Sequence, residues 1–384
     1  MNPILFSRVA VIGLGLLGSS LARALRMQHL CESIVGFDVN TQHMDYCQGE
    51  NITDTCAASV AEAVTGCDLV VLCTPVSTYS SLLAQSFSHL SKGSIITDVG
   101  SVKEAALEGL MPNLPEGCVF VPAHPIAGSE KSGPEYGSAH LFESRRIILT
   151  PDESVLENAA VQKVRLLWER IGGKVEFMPA FLHDQVYGYV SHLPQVVAFA
   201  ARTTLAKLPV IQPFSTLLFE RFIRLGKSPA LLWTDIFLSN QRYVVAALDD
   251  YMAFCQQIFQ ELRHGKEQNE PSQSASNLAS NLFPRIAASC LVASVSKLEK
   301  QLRLPVARYA GQGFADVCSP AVESPEQDIE KISGHYEVML PVLEQFIDQL
   351  GKLRQLIASG IAPDLLMELE RIRAIRLEIT TSSH

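Results

Sequence analysis

The sequence predicts an α/β chain: a mostly parallel sheet interleaved with helices up to about residue 178, and helices alone behind it. Three observations carry this. Short β-branched runs alternate with helix-like stretches over residues 8 to 178, the pattern of βαβ units. A glycine motif sits between the first strand run and the first helix run. After about residue 180 the strand runs stop, and long helical patterns such as "LLWTDIFLSNQRYVVAALDDYMAFCQQIFQELRHG" take over. The expected domains are therefore 1–178, an α/β domain; 179–264, a helical domain; and 278–384, a further helical unit. A polar segment at 265–277, "GKEQNEPSQSASN", reads as the linker between the last two.

The strand candidates are "RVAVIGLG", "SIVGFD", "DLVVLCTP", "GSIITDVG" and "GCVFVPAHP". Each ends in Gly, Pro or Asp, residues that terminate a ladder. The last closes on His124-Pro125. Proline donates no ladder hydrogen bond and pushes its predecessor into an extended conformation. His124 is thus expected at the carboxyl end of a strand with a loop behind it, where open α/β sheets bind ligands.

Composition excludes several classes. The 384 residues carry a formal charge of −9, and the pI is near 5.6, which speaks against a nucleic-acid surface. No run of about 18 uncharged apolar residues suggests a membrane span. The start, "MNPILFSRVAVIGLG", lacks a small-residue cleavage site and reads as a buried strand. The nine cysteines lack paired metal-ligand spacing and mostly lie in apolar runs, as expected of reduced thiols in a cytoplasmic protein without a metal site.

"GLGLLG", Gly13 to Gly18, fits G-x-G-x-x-G. Gly13 permits the tight turn, Gly15 lets backbone approach a pyrophosphate, and Gly18 lets helix and strand pack closely. The helix start at Leu16 and Leu17 offers N–H groups to the anion. Asp38 ends the next strand, where a carboxylate accepts hydrogen bonds from the adenosine ribose and repels a 2′-phosphate. The cofactor expected is NAD. Thr74 and Pro75, in "CTPVS", follow the next strand and are expected to form a wall near it, or only a turn. In "TDVGSVK", Asp98 reads as a helix cap, and Ser101 is a candidate to point into the same cleft as His124.

Taken together, "VIGLGLLGSSLA", "TDVGSVK", "HPIAGSEKSG", "LFESRRIILTP", "HDQVYGYVSHLPQVVAFA" and "LWTDIFLSN" resemble the prephenate/arogenate dehydrogenase family of tyrosine biosynthesis, in order and spacing, over residues 8 to about 264. The glycine fingerprint is widespread, but "HPIAGSEKSG" is specific. The resemblance implies a Rossmann domain, then an all-helical domain that usually dimerises, with prephenate or arogenate held between them. It implies oxidative decarboxylation with hydride transfer to NAD. By the same resemblance His124 is the catalytic base, Ser101 bonds this histidine and the substrate hydroxyl region, and His192 faces the substrate. Arg224 holds a substrate carboxylate, with Arg221 and Arg202 as competitors, and Glu130 sits near the cleft mouth. Trp233 reads as packing. The wording around Arg224, "FERFIRL", departs from the family's.

Ser144 stands where an acid would suit the ammonium of arogenate, which favours prephenate; Asp184 and Glu130 remain candidate partners for that ammonium. Competing readings are a β-hydroxyacid dehydrogenase or imine reductase, and a dinucleotide-binding sensor without chemistry. The family often ends soon after its helical domain, or adds a small regulatory domain. Here about 120 further residues follow. "HLPQVVAFAARTTLAKL" from His192 resembles "LFPRIAASCLVASVSKLEKQL" from Leu282, and Ser228-Pro229 has a counterpart in Ser324-Pro325. A duplicated helical unit would set Leu282 opposite His192 and Pro320 opposite Arg224, and would have lost both substrate groups. A homodimer follows from family habit; a monomer with an internal pseudo-partner follows from duplication.

Overall fold

The computed structural model describes residues 4–128, 131–152, 155–206, 224–266, 279–318 and 336–375. Two compact units divide the chain, Met1–Asp184 and Gln185–His384. The first extends past the boundary expected at residue 178 and takes in His183 and Asp184.

In the first unit β1 (Phe6–Ile12), α1 (Leu16–Met27), β2 (Cys31–Phe37), α2 (Thr41–Gly49), β3 (Thr55–Cys56), α3 (Val60–Val64), β4 (Leu69–Leu72), α4 (Tyr79–Ser86), β5 (Ile95–Asp98), α5 (Glu104–Leu110) and β6 (Val119–Val121) follow in order. The sheet is parallel, in the order β3-β2-β1-β4-β5-β6. The chain direction across it reverses between β1 and β4, the switch point at which such sheets bind dinucleotides. Alternation along β1 explains the layering. Val9 and Val11 join a core with Leu21 and Leu25 of α1 and Val164 and Trp168 of α6 (Ala159–Arg170). Ala10 and Ile12 join the opposite core, with Val60, Leu83 and Leu110 of α3, α4 and α5. Both faces are buried, so the strands read as apolar runs.

The strand expected to end in His-Pro is split. β6 stops at Val121, and after Pro122 a separate strand, β7 (Ala123–Pro125), pairs antiparallel with β8 (Arg146–Leu149), which pairs in parallel with β9 (Lys174–Phe177). Pro122 has no N–H to give the main sheet, and the chain changes partners there. His124 therefore lies near the carboxyl end of a short strand, opposite Ile148, in a second sheet and not in the main one.

The regular elements described in the second unit are helices. A helical run begins before the unit boundary with α7 (Ala180–Tyr187), widens into a π-helical turn (Gly188–His192) and continues as α8 (Leu193–Leu205). Pro194 explains the widening: it brings no N–H and crowds the turn before it, and a π-turn accommodates both. Then come α9 (Ala230–Ser239), α10 (Gln241–Lys266), α11 (Ala279–Leu302), α12 (Gln312–Cys318), α13 (Tyr336–Ser359) and α14 (Ala362–Ala374). The expected linker starts inside α10, at its last turn; residues 267–278 lie outside the described residues. Among the described residues no helix is long and apolar enough to cross a membrane.

Candidate functional site

At the carboxyl ends of β1, β2 and β4 the glycine loop has the shape its motif predicts. Gly13 has φ +97°, and a Cβ there would stand 2.8 Å from the Cys73 carbonyl. A Cβ on Gly18 would run into the Gly13 carbonyl oxygen, whereas one on Gly15 would meet nothing within 4 Å. The first two glycines named are thus demanded by packing. Gly15 leaves open space at the N-terminus of α1, as a phosphate requires. The first bond of α1 is Ser19 N–H to the Gly15 carbonyl, 3.0 Å, so the amides of Leu16, Leu17 and Gly18 lie ahead of it.

Asp38 is fixed beside this loop. Its carboxylate accepts Leu14 N–H at 2.7 Å and Asn40 N–H at 2.8 Å, and His43 Nδ1 lies 3.3 Å away. Thr74 comes up against Gly13 from the β4 side and bonds the Thr78 hydroxyl at 2.8 Å. These residues fit a dinucleotide: open backbone at the helix start, and an acid at the end of the neighbouring strand.

A second cluster stands next to it, around Asp98 at the end of β5. Asp98 is fully buried. It accepts Ala123 N–H at 2.9 Å, Gly100 N–H at 3.0 Å and the Tyr79 hydroxyl at 3.1 Å, and pairs with the Lys103 ammonium, itself fully buried. It does not cap the next helix, as the sequence suggested; it ties the β5 loop to the strand that carries His124. Lys103 also donates to the Ala123 carbonyl at 2.8 Å. Burial pulls the ammonium below its ordinary range, while Asp98 opposes the shift.

His124 projects from this tie, 8% exposed. Its Nδ1 lies 2.8 Å from Nε2 of His183, and His183 Nδ1 lies 2.7 Å from the Asp184 carboxylate. Asp184 also accepts the Lys103 and Glu104 backbone N–H groups, each at 2.8 Å. These bonds determine the tautomers. As an acceptor of backbone N–H groups on both oxygens, Asp184 takes the proton-bearing Nδ1 of His183. His183 Nε2 then presents a lone pair, so a neutral His124 donates from Nδ1 and carries no proton on Nε2. Burial first, and the Lys103 charge second, hold His183 well below the ordinary histidine range, which keeps it neutral.

Several expectations change here. Ser101 lies on the β5 loop, and among the described residues no hydrogen bond runs from it to His124; His183 is one partner of that ring. His183 was not among the expected site residues. The adjacent His-Asp pair in an apolar helical stretch was its one sequence signal. Asp184, a candidate partner for a substrate ammonium, is 1% exposed and committed to His183 and two backbone amides. Glu130 and Arg221 lie outside the described residues.

In the second unit His192 ends the π-helical turn, 1% exposed. Its Nδ1 meets the Asn240 amide nitrogen at 2.9 Å, and Trp233 packs edge-on at 6.2 Å. An amide nitrogen donates, so Nδ1 accepts and Nε2 carries the proton. Arg224 is exposed, two residues before Gly226. Arg202 is excluded as the substrate arginine. It is buried, and its guanidinium bonds the carbonyls of Ile372, at 3.0 Å, and Ile375 at the C-terminus of α14, a cation at the negative end of a helix.

Known proteins resemble the chain over most of its length. The family model described as prephenate dehydrogenase, nucleotide-binding domain, matches residues 21–177. The model described as prephenate dehydrogenase, dimerization domain, matches residues 179–279 and 277–371. A cyclohexadienyl dehydrogenase of Zymomonas mobilis is 35% identical over 254 residues, 65% of this chain and 86% of its own length. A prephenate dehydrogenase of Bacillus subtilis is 30% identical over 249 residues, 64% of this chain and 67% of its own. A prephenate dehydrogenase structure from A. aeolicus, in complex with hydroxyphenyl propionate and NAD+, has 31% identity and a TM-score of 0.58, covering 77% of this chain and 97% of that one.

Proposed function

The chain belongs to the prephenate dehydrogenase family, and from that premise we propose that it catalyses the NAD-dependent oxidative decarboxylation of prephenate to 4-hydroxyphenylpyruvate. The observation that carries the reading is the chain His124–His183–Asp184, which leaves His124 Nε2 as a base. When bound, NAD supplies the acceptor for the hydride that leaves the ring carbon bearing the 4-hydroxyl.

This chain's residues supply the rest. His124 Nε2 accepts the 4-hydroxyl proton as the carbonyl develops. The imidazolium so formed keeps its Nδ1 proton on His183, whose other nitrogen is anchored by Asp184, so the new charge meets a preorganised acceptor. The ring carboxylate departs as carbon dioxide, its bonding pair passes into the ring, which becomes aromatic, and the 4-oxygen takes back the proton held by His124. Ser101 is assigned to the substrate hydroxyl region, Arg224 to a substrate carboxylate, with a guanidinium fork that lysine lacks, and His192 to the substrate through its Nε2 proton. Glu130 is assigned to the cleft mouth. Gly13, Gly15, Leu16, Leu17, Gly18, Thr74 and Pro75 are assigned to the cofactor. Asp38 is assigned to the adenosine ribose, where its carboxylate disfavours a 2′-phosphate. The domains proposed are 1–178, 179–264 and 278–384.

Prephenate is preferred to arogenate because Ser144 is no acid and Asp184, one of the two candidate partners for an ammonium, is committed elsewhere; Glu130 remains the other candidate. The test is initial-rate NADH formation with prephenate, arogenate and simple hydroxy acids, each with NAD and with NADP. Prephenate with NAD is expected to turn over fastest. Faster turnover of arogenate would transfer the assignment to arogenate dehydrogenase, and no turnover of either would leave a dinucleotide-binding sensor.

A further inference from the structure

The second unit contains two helical stretches that correspond residue by residue. α8 and α11 align with a separation of 90 positions, which pairs Pro194 with Pro284. Each proline lies within a helical run. At the same separation Thr204 bonds the Ala200 carbonyl, 3.1 Å, and Ser294 bonds the Cys290 carbonyl, 2.7 Å. α10 and α13 align at 95. Val244, Leu248, Tyr251, Cys255 and Leu262 are buried, and so are their counterparts Met339, Leu343, Phe346, Leu350 and Ile357. The dimerization-domain model of the family matches both stretches.

Their packing is reciprocal. α10 lies chiefly on its counterpart α13, α8 packs on α13, and α11 packs on α10. Each stretch thus lays its first helix on the long helix of the other. Gln241, at the start of α10, bonds the Ile357 carbonyl near the end of α13, and Asp249 pairs with Arg354, so the two long helices run antiparallel. Tyr251 and its counterpart Phe346 face each other, ring centroids 6.3 Å apart. Equivalent residues meet one another only near a two-fold axis, where contacts are self-complementary. Such an interface is what two separate copies of a dimerising domain form; here it is closed within one chain.

We infer that residues 277–371 occupy the place of a second subunit's helical domain, so that this protein is a monomer with a single substrate site. The second copy carries packing without the chemistry. Leu282 stands where the first copy has His192. Opposite Arg224 stand Ser319 at a separation of 95, or Pro320 at 96, neither of them a cation; both lie outside the described residues.

Sedimentation equilibrium of the full chain tests this directly. The expected mass is 42.0 kDa across about a hundredfold range of protein concentration, with a melting temperature that does not change over it, because no association is linked to folding. A species of twice that mass, or a melting temperature that climbs with concentration, would overturn the inference. Neither measurement involves turnover, so its failure is separate from a failure of the dehydrogenase reading.

Discussion

The two buried histidines of this protein, His124 and His192, are built for different work. His124 leans on a second histidine and a carboxylate, in a unit where a buried ammonium lies close by. His192 leans on a neutral amide and a tryptophan edge. The carboxylate behind His183 turns a lone pair toward His124 and leaves its far nitrogen without a proton. The amide behind His192 does the opposite and leaves its far nitrogen protonated. One ring is prepared to take a proton, the other to give a hydrogen bond. Burial alone does not distinguish a base from a donor; the partner at the near nitrogen does.

Substitutions sharpen this contrast in a definite order. His124→Asn is expected to lower turnover by about two to four decades, with a smaller change in prephenate binding; steady-state rates beside a binding titration will show it. His183→Asn keeps a polar side chain but removes the ring that orients His124. It is expected to lower kcat by roughly one to two decades and to shift the acidic limb of the pH–rate profile, while KM stays near normal. A purely structural role would leave that limb in place. His192→Leu, the side chain of the second copy, should act on KM, raising it about tenfold for one lost hydrogen bond to a charged or polar substrate group, with NAD affinity unchanged. Asp38→Ser should leave prephenate untouched and shift the ratio of NADP to NAD use toward NADP; an unchanged ratio would remove Asp38 from cofactor choice.

The buried relay also has a signature in stability. His183 is held neutral far below its ordinary value of 6.5. As pH falls through that value the unfolded chain takes up a proton that the folded chain refuses. Stability is therefore undiminished above pH 6.5 and falls below it, by about 1.4 kcal/mol per pH unit for one such group. Denaturant unfolding at several pH values should show this slope, and His183→Asn should reduce it.

Much of this was legible in the chain. Short apolar, β-branched runs gave β1, β2, β4 and β5, because strands buried on both faces must be apolar throughout. The glycine loop was legible because packing demands Gly13 and Gly18 outright. The helical half and its internal likeness were legible because helix faces repeat a short pattern. Other features depend on contacts distant in sequence. Pro122 reads as the interior of one strand until the second sheet is seen to claim Ala123–Pro125. Arg202 reads as a competitor to Arg224 for the substrate until its partners, about 170 residues away, prove to be the last carbonyls of α14. The link from His124 to His183 spans 59 positions, and no local pattern encodes it.

Nitrogen-15 NMR of histidine-labelled enzyme reads the protonation pattern of His124, with the His124→Asn variant identifying the signals. At a pH where the ring is neutral, Nδ1 is expected to be protonated and Nε2 to carry no proton. A His124 ring that carries its proton on Nε2 would contradict it, because that nitrogen could not then accept the substrate's proton.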